Sequence, residues 1–220
     1  MPSKKQEKQK IVARILALTE DETHESERPI IEELRAHGIN VFQLSQFNSH
    51  RIGSKQIVPI LLEWLGHSSN YQLKRAIALA LCNSWARGTD APLILIDEFK
   101  KVPSFMLGGD PRWELGLAIE HVADERIVAD LVELVSNRNL GPSRELLILA
   151  LGRVHAPHTI KTLVDLLNDT PVCYSALQAL SRFRSLPDEV VVRVQGFAED
   201  ADASVSKLVK RILKKHARQN

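Results

Sequence analysis

The feature that most narrows what this chain can fold into is a set of apolar columns repeating in register along it. Bulky anchors stand at Leu65, Phe99, Val135, Leu167 and Phe197, at steps of 34, 36, 32 and 30 residues. Leu62, Ile96, Val132, Val164 and Val194 precede them by three residues, and Val58, Pro92, Val128, Ile160 and Val190 by seven. Three columns that are apolar in every row do not arise readily by chance in a chain that is 44% hydrophobic. The spacing marks one face of an α-helix. An interleaved set carries Ala80, Ala118, Ala150 and Ala179, each followed by Leu81, Ile119, Leu151 or Leu180, and Arg211-Ile212 continues the row. A small residue at a constant place lets helix axes approach to about 8–10 Å.

One whole unit is visible between Gly141 and Asp169. A first helix presents Leu147, Ala150, Leu151 and Val154; a second opens at Pro157 and presents Ile160, Leu163, Val164 and Leu167. Neither buries its stripe alone, so neighbouring units must stack. Helices of the anchor set are predicted to start near Gln56, Asp90, Asp124, Pro157 and Pro187. Pro111, Pro142, Pro157, Pro171 and Pro187 fall at or next to predicted first turns, with Asp110 and Thr170 as N-caps. Upstream, helices are predicted over 4–18 and 28–37, the latter ended by Gly38, with an acidic stretch over 20–27 and a short helix plus loop over 40–55. The expected fold is all-α, an α-solenoid of about six antiparallel helix pairs. Residues 1–55 form its N-terminal helical cap, continuous with an array over 56–220.

From Gln56 to His216, with Ala150-Leu151-Gly152-Arg153 and Leu166-Leu167-Asn168-Asp169, the chain resembles HEAT repeats, particularly the short variety also found in phycobilisome bilin lyases. That resemblance implies a stacked helical-repeat fold. It implies no particular site, because the shared residues are core.

Charge and cysteine usage narrow the partners. The net charge is +2, yet residues 1–10 hold four Lys against one Glu, and residues 201–220 hold six Lys plus Arg against one Asp. Both ends are basic. Cys82 and Cys173 lie far apart in helical patterns, which gives no disulfide framework and fits a reducing cytoplasmic setting. Arg14 breaks the N-terminal apolar stretch, which reads as a charged helix rather than a signal peptide. No apolar run approaches the roughly 20 residues of a membrane span, so no membrane partner is expected.

Catalytic motifs are missing: the chain has no Gly-rich phosphate loop, H-E-x-x-H, paired C-x-x-C or nucleophile elbow. No cofactor, metal site or catalytic residue is expected. His155 and His158 read as a capping turn, and Ser204, the first residue of an S-x-x-K match that ends at Lys207, reads as a helix start. The stronger constellation is a column three residues beyond each small residue: Asn83, His121, Arg153, Arg182 and Lys214, extended by Arg184, Lys207, Lys210, Arg211, Lys215 and Arg218. It reads either as a cationic ladder for an acidic protein surface or phosphate backbone, or, more simply, as a solvated flank. Trp113, after Asp110-Pro111-Arg112, is a candidate to stack on a ligand, although packing is the simpler expectation; Trp64 and Trp85 read as packing. The loop 103–109 offers Phe105, Met106 and Leu107, expected to fold back on the array.

The expected function is non-enzymatic: a binding or scaffold protein that recognises a macromolecule, foremost a protein, through its superhelical face. The alternative is nucleic-acid binding through the basic column and C-terminal helix, a layout similar to that of DNA glycosylases built from HEAT-like repeats. A third reading, implied by the repeat type alone, is a bilin-lyase-like enzyme or chaperone subunit.

Overall fold

A computed structural model describes residues 25–49, 52–103, 110–200 and 202–217; the helix predicted over 4–18, most of the acidic stretch, Arg218 and the apolar Phe105-Met106-Leu107 lie outside them. Among the described residues every regular element is helical. Residues 25–36 form α1, closed by Gly38 at φ +80. Then come α2 (Gln46–Ser49), α3 (Val58–His67), α4 (Tyr71–Leu81), α5 (Ala91–Lys101), α6 (Arg112–Val122), α7 (Val128–Ser136), α8 (Glu145–Val154), α9 (Ile160–Asp165), α10 (Cys173–Arg182), α11 (Asp188–Gln195) and α12 (Ala203–His216).

The predicted anchor-set starts hold to within a few residues, and side chains cap the entry to α3 and α7. Three of the five helices, α3, α7 and α9, enter through a single 3-10 turn, at Lys55–Ile57, Glu125–Ile127 and Pro157–Thr159. Ser54 Oγ accepts from the Gln56 amide, and Asp124 Oδ1 from the Arg126 amide at 3.0 Å. Asn70 Oδ1 takes the Gln72 and Leu73 amides to open α4. Each bond satisfies a donor that the first helical turn leaves orphaned. Of the two caps expected beside prolines, Asp110 accepts from the Arg112 amide, whereas Thr170 does not cap. Thr170 is itself the first residue of a 3-10 turn, and α10 begins only at Cys173. At the last helix the cap is Asp202, accepting from the Ser204 amide at 2.7 Å, so Ser204 lies inside the first turn.

Helices pair along the chain: α3 with α4, α5 with α6, α7 with α8, α9 with α10 and α11 with α12. The second members, here row B, pack on one another in order, α4 on α6, α6 on α8, α8 on α10 and α10 on α12; in row A, α3 packs on α5. The firm contacts thus join elements close in chain order. The described residues hold five regular pairs against about six expected, with α1 and α2 ahead of them and α2 against α4.

The apolar columns form this interior. Ala80, Ala118, Ala150, Ala179 and their Leu or Ile followers are fully buried, and so are Leu65 and Val135, within one cluster that runs from Ile30 to Ile212. Each buried Leu or Ile contributes about 1.5–3 kcal/mol of transfer free energy. The crossing of α8 on α10 is close: a Cβ at Gly152 would meet the Ala179 Cα at 2.6 Å. Only glycine fits there. Trp64 is half-buried and donates to Glu33 Oε2 at 2.7 Å, and Trp85 lies edge-on to Phe47 at 6.0 Å, in line with packing.

Candidate functional site

Antiparallel pairing brings the amino end of each B helix to the carboxyl end of its A partner, and the cations there close the stack. Arg144, 1% exposed, donates to Val135 O and Gly141 O, both at 2.9 Å, and lies 2.9 Å from Asp169 Oδ2 in a close ion pair. Arg112 donates to Val102 O and Pro103 O at 2.7 Å and binds Asp110. Lys74 pairs with the buried Glu98 of α5. Val135 lies in the last turn of α7 and Val102 caps α5, so their carbonyls sit at the negative end of an A-helix dipole, which helps offset the desolvation of Arg144 and Arg112. The sequence reading passed over this set. Its signal was there: Lys74, Arg112 and Arg144 each stand six residues before the small residue of their helix.

At the other edge, where B helices end, the predicted cationic ladder is not a row of free charges. Arg153 Nη2 donates to both Glu120 oxygens at 3.1 and 3.2 Å, and Arg182 Nη1 donates to Glu120 Oε1 and Leu149 O, each at 2.7 Å. Both arginines are one-third exposed, and Glu120 is buried. Burial pushes the Glu120 carboxyl up, but the hydrogen bonds and charges of Arg182 and Arg153 together outweigh it, so its pKa lies below the ordinary 4.5. His121 turns Nδ1 to Leu117 O at 3.1 Å, and Asn83 donates to Ala80 O and Asn48. Helix carboxyl ends attract such donors. A buried carboxylate beside a basic column was not anticipated. It can be seen in the sequence only when Glu120, two residues past Ala118, is set against Arg153 and Arg182 in the next two units.

The remaining candidates fall into three places. Arg182 and Arg184 meet in a groove of about 600 Å³, at the carboxyl ends of α8 and α10 and the starts of the helices that follow them. His155, Pro157, Ile160, Phe183, Ser185, Leu186 and Pro187 complete its lining, which includes no carboxylate. His155 holds φ +57 as the C-cap of α8; its Nε2 donates to Arg182 O at 3.0 Å, and its ring meets Phe183 edge-on at 5.8 Å. The capping turn is therefore real, and it builds one wall. Arg184 is exposed and makes no ion pair or hydrogen bond among the described residues, and Arg182 Nε and Nη2 likewise donate to nothing among them.

On α12, Lys207, Lys210, Arg211 and Lys214 share the exposed face opposite Val205, Leu208, Val209 and Ile212. Lys210 has one loose pair, 3.9 Å to Glu199, and the other three have no partner among the described residues. Lys215 instead caps α10, donating to Ser181 O at 3.0 Å and Phe183 O at 2.5 Å. Trp113 contradicts the packing expectation: it is 60% exposed. Its neighbour Arg112 turns inward to the α5 carbonyls, which leaves the indole on the outer side of α6, at a cleft of about 310 Å³ with Asp110, Pro142, Ser143, Glu145 and Leu146.

Among the described residues no cluster of three or more His, Cys, Asp or Glu is placed to hold a metal, and no helix is long and apolar enough to cross a membrane. No protein-family model matches this chain, and a search of curated proteins finds no match to it.

Proposed function

We propose that this chain is a non-enzymatic, HEAT-like α-solenoid that binds or scaffolds a protein partner, and that the partner seats in the groove of Arg182 and Arg184. Row B packs helix on helix while the firm contacts stay between chain neighbours, which supports reading the stack as a solenoid built by repetition. The observation that carries the functional reading is the groove: two guanidiniums with unused donors stand over an apolar floor, at an edge formed by turns rather than by the shared interior. Concave, mostly apolar surfaces with a few convergent polar groups are where proteins take ligands. A photo-crosslinking side chain at Ser185 tests this in native extract, with the same group at Phe42, 74% exposed and distant in the chain, as the reference. One dominant adduct at Ser185 and none at Phe42 is expected. Equal labelling at the two sites would refute the proposal.

A second reading, nucleic-acid contact, is favoured by one observation, the exposed cationic face of α12, on which Lys210 alone has a loose pair among the described residues. If Lys207, Lys210, Arg211 and Lys214 each met a phosphate, log K for duplex DNA would fall with log salt at a slope of about −3.6. Retention on DNA unchanged by a Lys207/Lys210/Lys214 triple alanine substitution would remove it.

A further inference from the structure

Resting on the groove reading above, we infer the chemistry of its occupant: an extended acidic peptide segment in which a carboxylate side chain stands next to a bulky apolar one. Three observations select it.

First, every charged group that lines the groove is a cation. Arg184 has no partner among the described residues, and Arg182 keeps Nε and Nη2 free while Glu120 and Leu149 O hold its Nη1. Those two internal bonds fix the side chain from behind, so its free edge is oriented before any ligand arrives. A planar guanidinium with two adjacent free donors matches a carboxylate bidentately.

Second, the floor is apolar. Pro157, Ile160, Phe183, Leu186 and Pro187 provide it, with Phe183 and Leu186 already buried in the core and therefore rigid. A purely polyanionic ligand would leave that surface uncovered. An acidic residue flanked by Leu or Phe uses both halves.

Third, the positive charge is local. Glu120 neutralises part of Arg153 and Arg182, Asp188 and Glu189 stand exposed directly after Pro187, and the whole chain carries only +2. Duplex DNA presents about one negative charge per 1.7 Å of axis and rewards a broad positive band. This edge holds a narrow one, so the occupant is a short acidic element and not a phosphate backbone.

Fluorescence anisotropy on the full chain tests the inference with three probes: labelled octapeptides that place Asp or Glu beside Leu or Phe, the same peptides with Lys for each acid, and a 20-base-pair DNA duplex. Arg184→Glu reverses the unpaired cation. Ser185→Trp fills the groove from an exposed position, and Arg28→Glu makes the same charge change on α1. The acidic apolar peptides are expected to bind, about tenfold or more weaker in Arg184→Glu and Ser185→Trp and unchanged in Arg28→Glu. Preference for the Lys peptides, or equal peptide binding by all four proteins, overturns the inference. So does DNA binding that Arg184→Glu abolishes. If no peptide binds while the Ser185 crosslinker still captures a partner, the ligand chemistry is wrong and the groove reading stands. If neither occurs, both fall.

Discussion

The cations inside the stack and those at its margins behave as two different populations. Arg112, Arg144 and Arg153 are buried or half-buried and tied to carbonyls and carboxylates of neighbouring helices; Arg184, Lys207, Arg211 and Lys214 are exposed and have no partner among the described residues. Residue type does not separate them. What separates them is whether another helix end or a carboxylate lies within reach, and that depends on how successive pairs stack. Interior cations hold pairs together; marginal cations keep their donors unused among the described residues.

That contrast has consequences of graded size. The largest is expected for Arg144→Ala, which leaves the buried Val135 carbonyl without its donor and Asp169 with only the exposed Arg138 at 3.6 Å, at a cost of about 3 kcal/mol. Thermal unfolding should then fall by about 2–4 °C for each kcal/mol. A wild-type Tm would mean that the buried pair contributes nothing. Next is Gly152→Ala, which drives a Cβ into the Ala179 backbone and forces α8 from α10, costing about 1–3 kcal/mol. Equal stability would show that the crossing relaxes freely.

Glu120→Gln should cost less at neutral pH and show its signature in acid. The folded pKa of Glu120 lies below 4.5, so its charge adds stability above that value, and the addition is lost as pH falls through the lowered pKa. The gap in Tm between wild type and Glu120→Gln should therefore be widest above about pH 5 and close on acidification below the ordinary carboxylate range. A gap independent of pH would contradict the role assigned to its charge. The smallest effect concerns Cys82, whose thiol is pushed up to about 12 by burial and by the nearby Glu120 charge. Thiolate is the reactive form, so Cys82 should lag Cys173 in modification of the native protein at pH 8, as read by peptide mass. Faster labelling of Cys82 would refute that environment.

The all-helical character and the helix positions were legible because burial at three- and four-residue spacing leaves a trace that needs no partner to read; Leu65, Val135 and the alanine column went to the interior for that reason. The side-chain chemistry was less legible because the polar contacts that tie one helix pair to another join residues about 30 or more positions apart. The reading took Arg153 and Arg182 as outward cations, yet they converge on Glu120, 33 and 62 residues before them. For Trp113 packing was the simpler of two expectations, yet the inward turn of Arg112 leaves the ring exposed. Arg184 was singled out by sign alone. Its place over an apolar floor depends on the turn after α10 lying beside the turn after α8, which no local pattern encodes.

The most direct test of this division sets Arg182→Ala beside Arg184→Ala, two substitutions two residues apart, and measures for each both the Tm and the binding of an acidic apolar octapeptide. The account expects Arg182→Ala to lower the Tm by several degrees, since Glu120 and the Leu149 carbonyl lose a donor, and Arg184→Ala to leave the Tm within about 1 °C of wild type while weakening the peptide about tenfold. A drop in Tm for Arg184→Ala as large as that for Arg182→Ala, with peptide affinity untouched, would contradict it.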